Sequence, residues 1–130
     1  MNFTGRRLAR NSANTRGTVS ARSVLDTSSG IPAKNVAIKV YQCQNGNPIL
    51  VKTTQTNLDG RCDEPLLSDA HLMTGSYQIE FDVEQYFNEK GVDSPFLKDV
   101  VVRFYISDAS ENYHVPLLIS PFSYSTYRGS

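Results

Sequence analysis

Apolar and polar side chains alternate with a period of two through much of the chain. Val36, Ile38 and Val40 alternate with Ala37, Lys39 and Tyr41, and Tyr77, Ile79 and Phe81 with Ser76, Gln78 and Glu80. Residues 98–107 repeat the pattern, with Val100, Val102, Phe104 and Ile106 on one face. Because successive side chains in a strand point to opposite faces, each run predicts a half-buried β-strand. Turn residues divide the runs. A first strand closes at residues 23–26, ended by Ser28-Ser29-Gly30. Gln44-Asn45-Gly46-Asn47-Pro48 predicts a hairpin, since Asn-Gly readily takes positive φ; residues 49–56 pair back, and Asn57-Leu58-Asp59-Gly60 turns the chain again. Residues 61–67 predict a short edge strand limited by Pro65. Residues 112–119 and 122–128 predict the last two strands, joined across Ser120-Pro121. One stretch is helical: Asp82 reads as an N-cap with Gln85 completing a capping box, Val83, Tyr86 and Phe87 share a face, and Gly91 ends it. Short strands at roughly ten-residue spacing with one brief helix predict an all-β protein, a β-sandwich.

The penultimate strand has two apolar faces. Tyr113, Val115, Leu117 and Ile119 suit the sandwich core; His114, Pro116, Leu118 and Ser120 form the opposite face, too apolar to be left in water. An outward sheet face of that kind usually meets another subunit, so the pattern predicts an oligomer.

At 130 residues the chain fits one domain. Its charge is uneven. Residues 1–25 carry five arginines and no acid, whereas the remainder has eight basic and thirteen acidic residues. Residues 1–20 read as a basic, disordered extension and 21–130 as the sandwich domain. The Arg- and Ser-rich extension is also what an organelle presequence shows; without one the protein is expected in the cytoplasm. No Lys/Arg stripe falls within the domain, which argues against nucleic-acid binding, and no apolar run approaches the ~20 residues of a membrane helix. Cys43 and Cys62 have no neighbouring His or Cys to complete a zinc set, so no metal is expected; two buried, unpaired thiols are expected, with a disulfide between them as the alternative.

Few residues offer chemistry. His114 lies on the outward face, where an imidazole exchanges protons near neutral pH; a structural histidine is the plain alternative. Arg61 follows the Asn57–Gly60 turn, which throws its guanidinium to one end of the sandwich, where five fixed donors suit a flat, oxygen-rich anion. A solvated surface arginine is the alternative there, and equally at Arg128. Alternation puts Tyr127 on the side of His114. His71, in a turn-like segment, reads as surface.

Taken together, three blocks are more specific: Val24-Leu25-Asp26-Thr27-Ser28-Ser29-Gly30-Ile31-Pro32-Ala33, Thr56-Asn57-Leu58-Asp59-Gly60-Arg61, and Tyr113-His114-Val115-Pro116 with the ending Ser120-Pro121-Phe122-Ser123-Tyr124-Ser125-Thr126-Tyr127-Arg128-Gly129-Ser130. In these the chain closely resembles the transthyretin-like 5-hydroxyisourate hydrolases of purine breakdown. The resemblance implies two four-stranded sheets, a homotetramer with sites where dimers meet, and no cofactor. It also implies that Arg61, His114 and Ser130 act in catalysis and that Arg61, Tyr127, Arg128 and Gly129 hold the substrate, 5-hydroxyisourate. The implied reaction is attack of water on a ring carbonyl, opening the ring to a carboxylated ureidoimidazoline. One position departs from the pattern: where the family carries a histidine before Val-Leu-Asp, this chain has Ser23. Three origins of Ser23 stand open: a natural weak or inactive relative, a deliberate substitution, or a frame or exon boundary just before Val24. The last also accounts for the basic composition upstream. Two other functions compete with hydrolysis: a small-molecule carrier like transthyretin, which Arg61, His114 and the polar ending oppose, and a catalytically inactive tetramer.

Overall fold

A computed structural model describes residues 16–129. In chain order its strands are β1 (Thr18–Ser20), β2 (Val24–Asp26), β3 (Ile31–Pro32), β4 (Ala37–Gln44), β5 (Asn47–Gln55), β6 (Leu67–Ser68), β7 (Gly75–Asp82), β8 (Asp99–Ile106), β9 (Tyr113–His114), β10 (Leu117–Ile119) and β11 (Tyr124–Thr126); the helix α1 (Val83–Glu89) links β7 to β8. The alternating runs build one antiparallel sheet in the order β5-β4-β7-β8. Its hairpin closes on Asn45 and Gly46, at φ 51° and 81°, the left-handed pair that a two-residue loop requires.

The opposing four-stranded sheet runs β11-β10-β2-β3 and leads into a three-stranded piece, β6-β1-β9. The two share their long strands. Residues 113–119 lie parallel to residues 18–26, and Val115 N donates to Ser20 O at 3.0 Å and Leu117 N to Ser23 O at 2.9 Å across the junction. Three residues, 21–23, stand opposite two, 115–116. The excess residue is a bulge in the first strand.

Several sequence expectations change here. The first strand, expected from Val19 and closing at residues 23–26, is divided by the bulge into β1 and β2, and residues 18–20 of the expected extension form β1; residues 1–15 lie outside the described part. The single strand expected over 112–119 is split at Val115-Pro116, because Pro116 has no N–H to give the ladder. The edge strand expected over 61–67 is reduced to Leu67–Ser68, since Pro65 interrupts it and residues 60–62 bond singly to the bulge. Both cysteines are free, and only half-buried.

The core lies between the sheets. Ile38, Val40, Tyr77, Ile79, Phe81 and Ile106 meet Val19, Val24, Leu117 and Ile119, all at 1% exposure or less. The helix adds Val83, Tyr86 and Phe87. Asp82 caps it by accepting from Gln85 N at 3.0 Å, but the capping box is half formed, because the Gln85 side chain donates to Glu89 instead. Asp26 is fully buried in β2 and accepts from Tyr86 Oη and Lys90 Nζ, each at 2.9 Å, and from Ser28 and Ser29. Burial alone would raise its pKa; the hydrogen bonds from Ser28, Lys90, Ser29 and Tyr86 outweigh it and hold the carboxyl far below the usual range. No helix among the described residues is long and apolar enough to cross a membrane.

Candidate active site

The bulge at residues 21–23 brings four chain segments side by side. On one flank, Cys62 N donates to Ala21 O at 3.1 Å and Val24 N to Gly60 O at 2.9 Å, so Arg61 stands directly across from Arg22 and Ser23. The approach is close enough to need glycine. A Cβ on Gly60 would lie 2.5 Å from the Val24 carbonyl oxygen, and its φ of 72° is left-handed. The turn behind it is held by Asn57, whose Oδ1 accepts from Asp59 N at 2.8 Å and Arg61 N at 3.2 Å. The Arg61 residue is exposed, and among the described residues its guanidinium has no ion pair.

On the other flank lies His114, half-buried at the end of β9. Its Nδ1 is 3.2 Å from Ser20 O and 3.4 Å from Arg22 N. The chain end closes over it. Gly129 N donates to His114 O at 2.7 Å in an isolated antiparallel bridge, and Gly129 is buried against the imidazole, where a Cβ would come within 2.8 Å of Cδ2. Positions 61, 23, 114 and 129 thus occupy neighbouring segments in that lateral order.

The remaining candidates divide. Ser130 lies outside the described residues, one position beyond Gly129. Tyr127 is 62% exposed and, contrary to the expectation that it shares the side of His114, lines a cavity of about 240 Å³ with Val102, Phe104, Tyr113 and Val115, because the tail crosses to that face. Arg128 has partners of its own: Glu111 at 3.0 Å, the Asn112 carbonyl at 3.3 Å and the face of the Tyr113 ring at 4.4 Å. It tethers the tail to residues 111–113 and not to Arg61. His71 is exposed in a 3-10 turn, Asp69–His71. Burial pushes the Cys62 thiol up to about 11, Lys52 opposing and Asp63 adding to the effect, so it is no thiolate nucleophile at neutral pH. Among the described residues, no group of His, Cys, Asp or Glu is arranged to hold a metal ion.

Sequence reasoning missed the main-chain groups of Ser20 and Arg22 that meet His114. The one hint was Pro116, since proline inside a sheet is confined to edges and bulges.

What the main chain places on neighbouring segments is a guanidinium at position 61, a serine at position 23 and the imidazole of His114, a set of groups suited to polar chemistry. Comparison with known proteins places most of the chain in one family. The profile of the HIUase/transthyretin family matches residues 20–129. A 5-hydroxyisourate hydrolase of Ralstonia nicotianae is 48% identical over 110 residues, 82% of this chain and 94% of that protein. Among solved structures, an (S)-allantoin synthase superposes with a TM-score of 0.83 at 37% identity, covering 91% of this chain and 45% of that one. The 5-hydroxyisourate hydrolase of Klebsiella pneumoniae superposes at 0.73 with 32% identity, covering 88% of this chain and 99% of that one.

Proposed function

The chain belongs to the HIUase/transthyretin family, and we propose that it is a cyclic-amide hydrolase acting on 5-hydroxyisourate. The observation that carries this reading is the adjacency of Arg61, Ser23, His114 and Gly129 across one bulged junction. Hydrolysis of a ring amide needs an acceptor for the proton of water, donors for the developing oxyanion and a clamp for the ring. Arg61 supplies the clamp and positive charge, and His114 exchanges the proton. Ser130, following Gly129, supplies a hydroxyl. Tyr127, which lines the neighbouring apolar cavity with Tyr113 and Val115, and Arg128, which pairs with Glu111, contribute by fixing the tail that carries Gly129 and Ser130. No step requires a metal or organic cofactor.

Position 23 limits the rate. A serine hydroxyl is not basic enough at neutral pH to stand in for an imidazole, and loss of a positioned acid–base group costs about 10²–10⁴ in rate. That corresponds to roughly 3–5 kcal/mol of barrier.

The working form is a homotetramer with sites at the dimer–dimer contact. Supporting this are exposed side chains on the open edges β8 and β11, Val101 at 46%, Tyr105 at 61% and Tyr124 at 46%, with Tyr127 at 62% just beyond β11. Unpaired strand edges carrying such residues are natural places for a second copy.

Turnover of freshly generated 5-hydroxyisourate, compared between this chain and its Ser23→His variant, tests the proposal. The variant is expected to be faster by at least about tenfold. Equal, negligible rates from both proteins would defeat the hydrolase reading, and thyroxine binding without ureide formation would favour a carrier.

A further inference from the structure

We propose that the main chain at the bulge, through Ser20 and Arg22, positions His114 and balances its two tautomers, the Ser20 carbonyl favouring the one in which Nε2 exchanges protons with substrate. The catalytic part of this inference rests on the hydrolase reading above; the tautomer part does not.

The geometry is specific to the extra residue. Ladder bonds across the junction are made by Val115 N to Ser20 O and by Leu117 N to Ser23 O. Between them Pro116 offers no N–H, and the Arg22 amide faces the imidazole, 3.4 Å from Nδ1. The Ser20 carbonyl, already held by Val115 N, lies 3.2 Å from the same nitrogen. One ring atom therefore faces both a donor and an acceptor.

A neutral imidazole carries one proton, on either nitrogen. With the proton on Nδ1, the ring donates to Ser20 O and Nε2 has a free lone pair. With the proton on Nε2, Nδ1 accepts from Arg22 N–H and no lone pair faces the substrate. Both tautomers fit without rotation of the ring. Gly129 leans on Cδ2, the carbon bonded to Nε2, and its lack of a side chain leaves that edge open.

The two contacts therefore have opposite effects on the reaction. The Ser20 carbonyl favours the tautomer that acts as a base. In it, Nε2 takes a proton from water as the O–C bond forms, and Ser20 O shares the charge of the imidazolium. Nε2 then returns the proton to the ring nitrogen as the C–N bond breaks, which regenerates the Nδ1–H form. The Arg22 amide favours the idle tautomer and holds the ring in place between turnovers.

Nitrogen-15 NMR of His114 in the full chain, at alkaline pH where imidazoles are neutral, tests the assignment. Shifts averaged between the two tautomer limits are expected; shifts of one pure tautomer would overturn it. Backbone esters give the second test, installed by ligating a synthetic segment 1–42 to residues 43–130 at Cys43. An ester replacing the Arg22 N–H should move the ratio toward Nδ1–H by about fivefold, and one weakening the Ser20 carbonyl should move it the other way. Esters that leave the ratio unchanged, or move it in the same direction, would overturn the inference. If the tautomers respond while 5-hydroxyisourate is never turned over, the hydrolase reading fails and the positioning of His114 stands. In an active background, weakening Ser20 O should lower kcat per folded chain, with the folded fraction counted separately by circular dichroism, and leave KM unchanged; a fall in kcat that vanishes once the folded fraction is corrected for would overturn the positioning role.

Discussion

At the scale of single residues, the site turns on close approaches that side-chain identity only partly reveals. His114 is visible in the sequence because the chain has only two histidines, and Arg61 because it follows the Asn57–Gly60 turn within a block that resembles the family; by type alone Arg61 is one of eight arginines. The Arg22 amide is not visible, because every residue but proline carries one. Gly129 is intermediate: its place before the final serine is legible, and its reason, a virtual Cβ 2.8 Å from His114 Cδ2, appears only in three dimensions. Replacing it with alanine forces either the imidazole or the tail to move. Since a misplacement of about 1 Å can cost about 10²-fold in rate, Gly129→Ala in the Ser23→His background should lose activity on that order. Thermal unfolding measured alongside should shift little, because the bridge it disturbs is a single isolated pair. A fully active Gly129→Ala protein would mean that the tail does not set the position of His114.

At the scale of elements, alternation located the strands that face water on one side and failed where a strand is interrupted. β4, β7 and β8 follow the period-two pattern with few exceptions. The split of residues 112–119 escaped it, since Val115, Pro116 and Leu117 are buried in succession. Nor does any local pattern announce the tie between β2 and α1, formed by residues sixty and sixty-four positions apart: Tyr86 and Lys90 on Asp26. That tie makes stability depend on pH. The native carboxyl of Asp26 has a pKa below its unfolded value, so near pH 4 the unfolded chain binds more protons than the folded one. Its contribution is complete above the unfolded pKa of about 3.9 and is lost as the pH falls further. Urea midpoints measured from pH 7 to pH 3 should therefore fall more steeply for this chain than for Asp26→Asn, and parallel curves would contradict the assignment. Tyr86→Phe, which deletes one donor to a buried carboxylate, should cost about 1.5–3 kcal/mol at neutral pH.

At the scale of the whole molecule, the sandwich class was legible because short strands, frequent turn signals and one brief helix admit few other architectures. The proposed assembly was expected from an outward apolar face; Pro116 of that face is buried within the chain, and the open edges β8 and β11 are visible only in three dimensions. Sedimentation equilibrium at micromolar concentration should give the mass of four chains, and a monomer would contradict the placement of sites between dimers. The central claim is narrower: Arg61, His114 and the carboxy-terminal residues surround one small planar heterocycle. A crystal structure of the protein with a hydrolytically inert purine-dione measures this most directly. The ligand should lie between the Arg61 guanidinium and His114 Nε2, with residues 129–130 against its edge; the same ligand bound elsewhere, with Arg61 and His114 both in contact only with solvent, would contradict it.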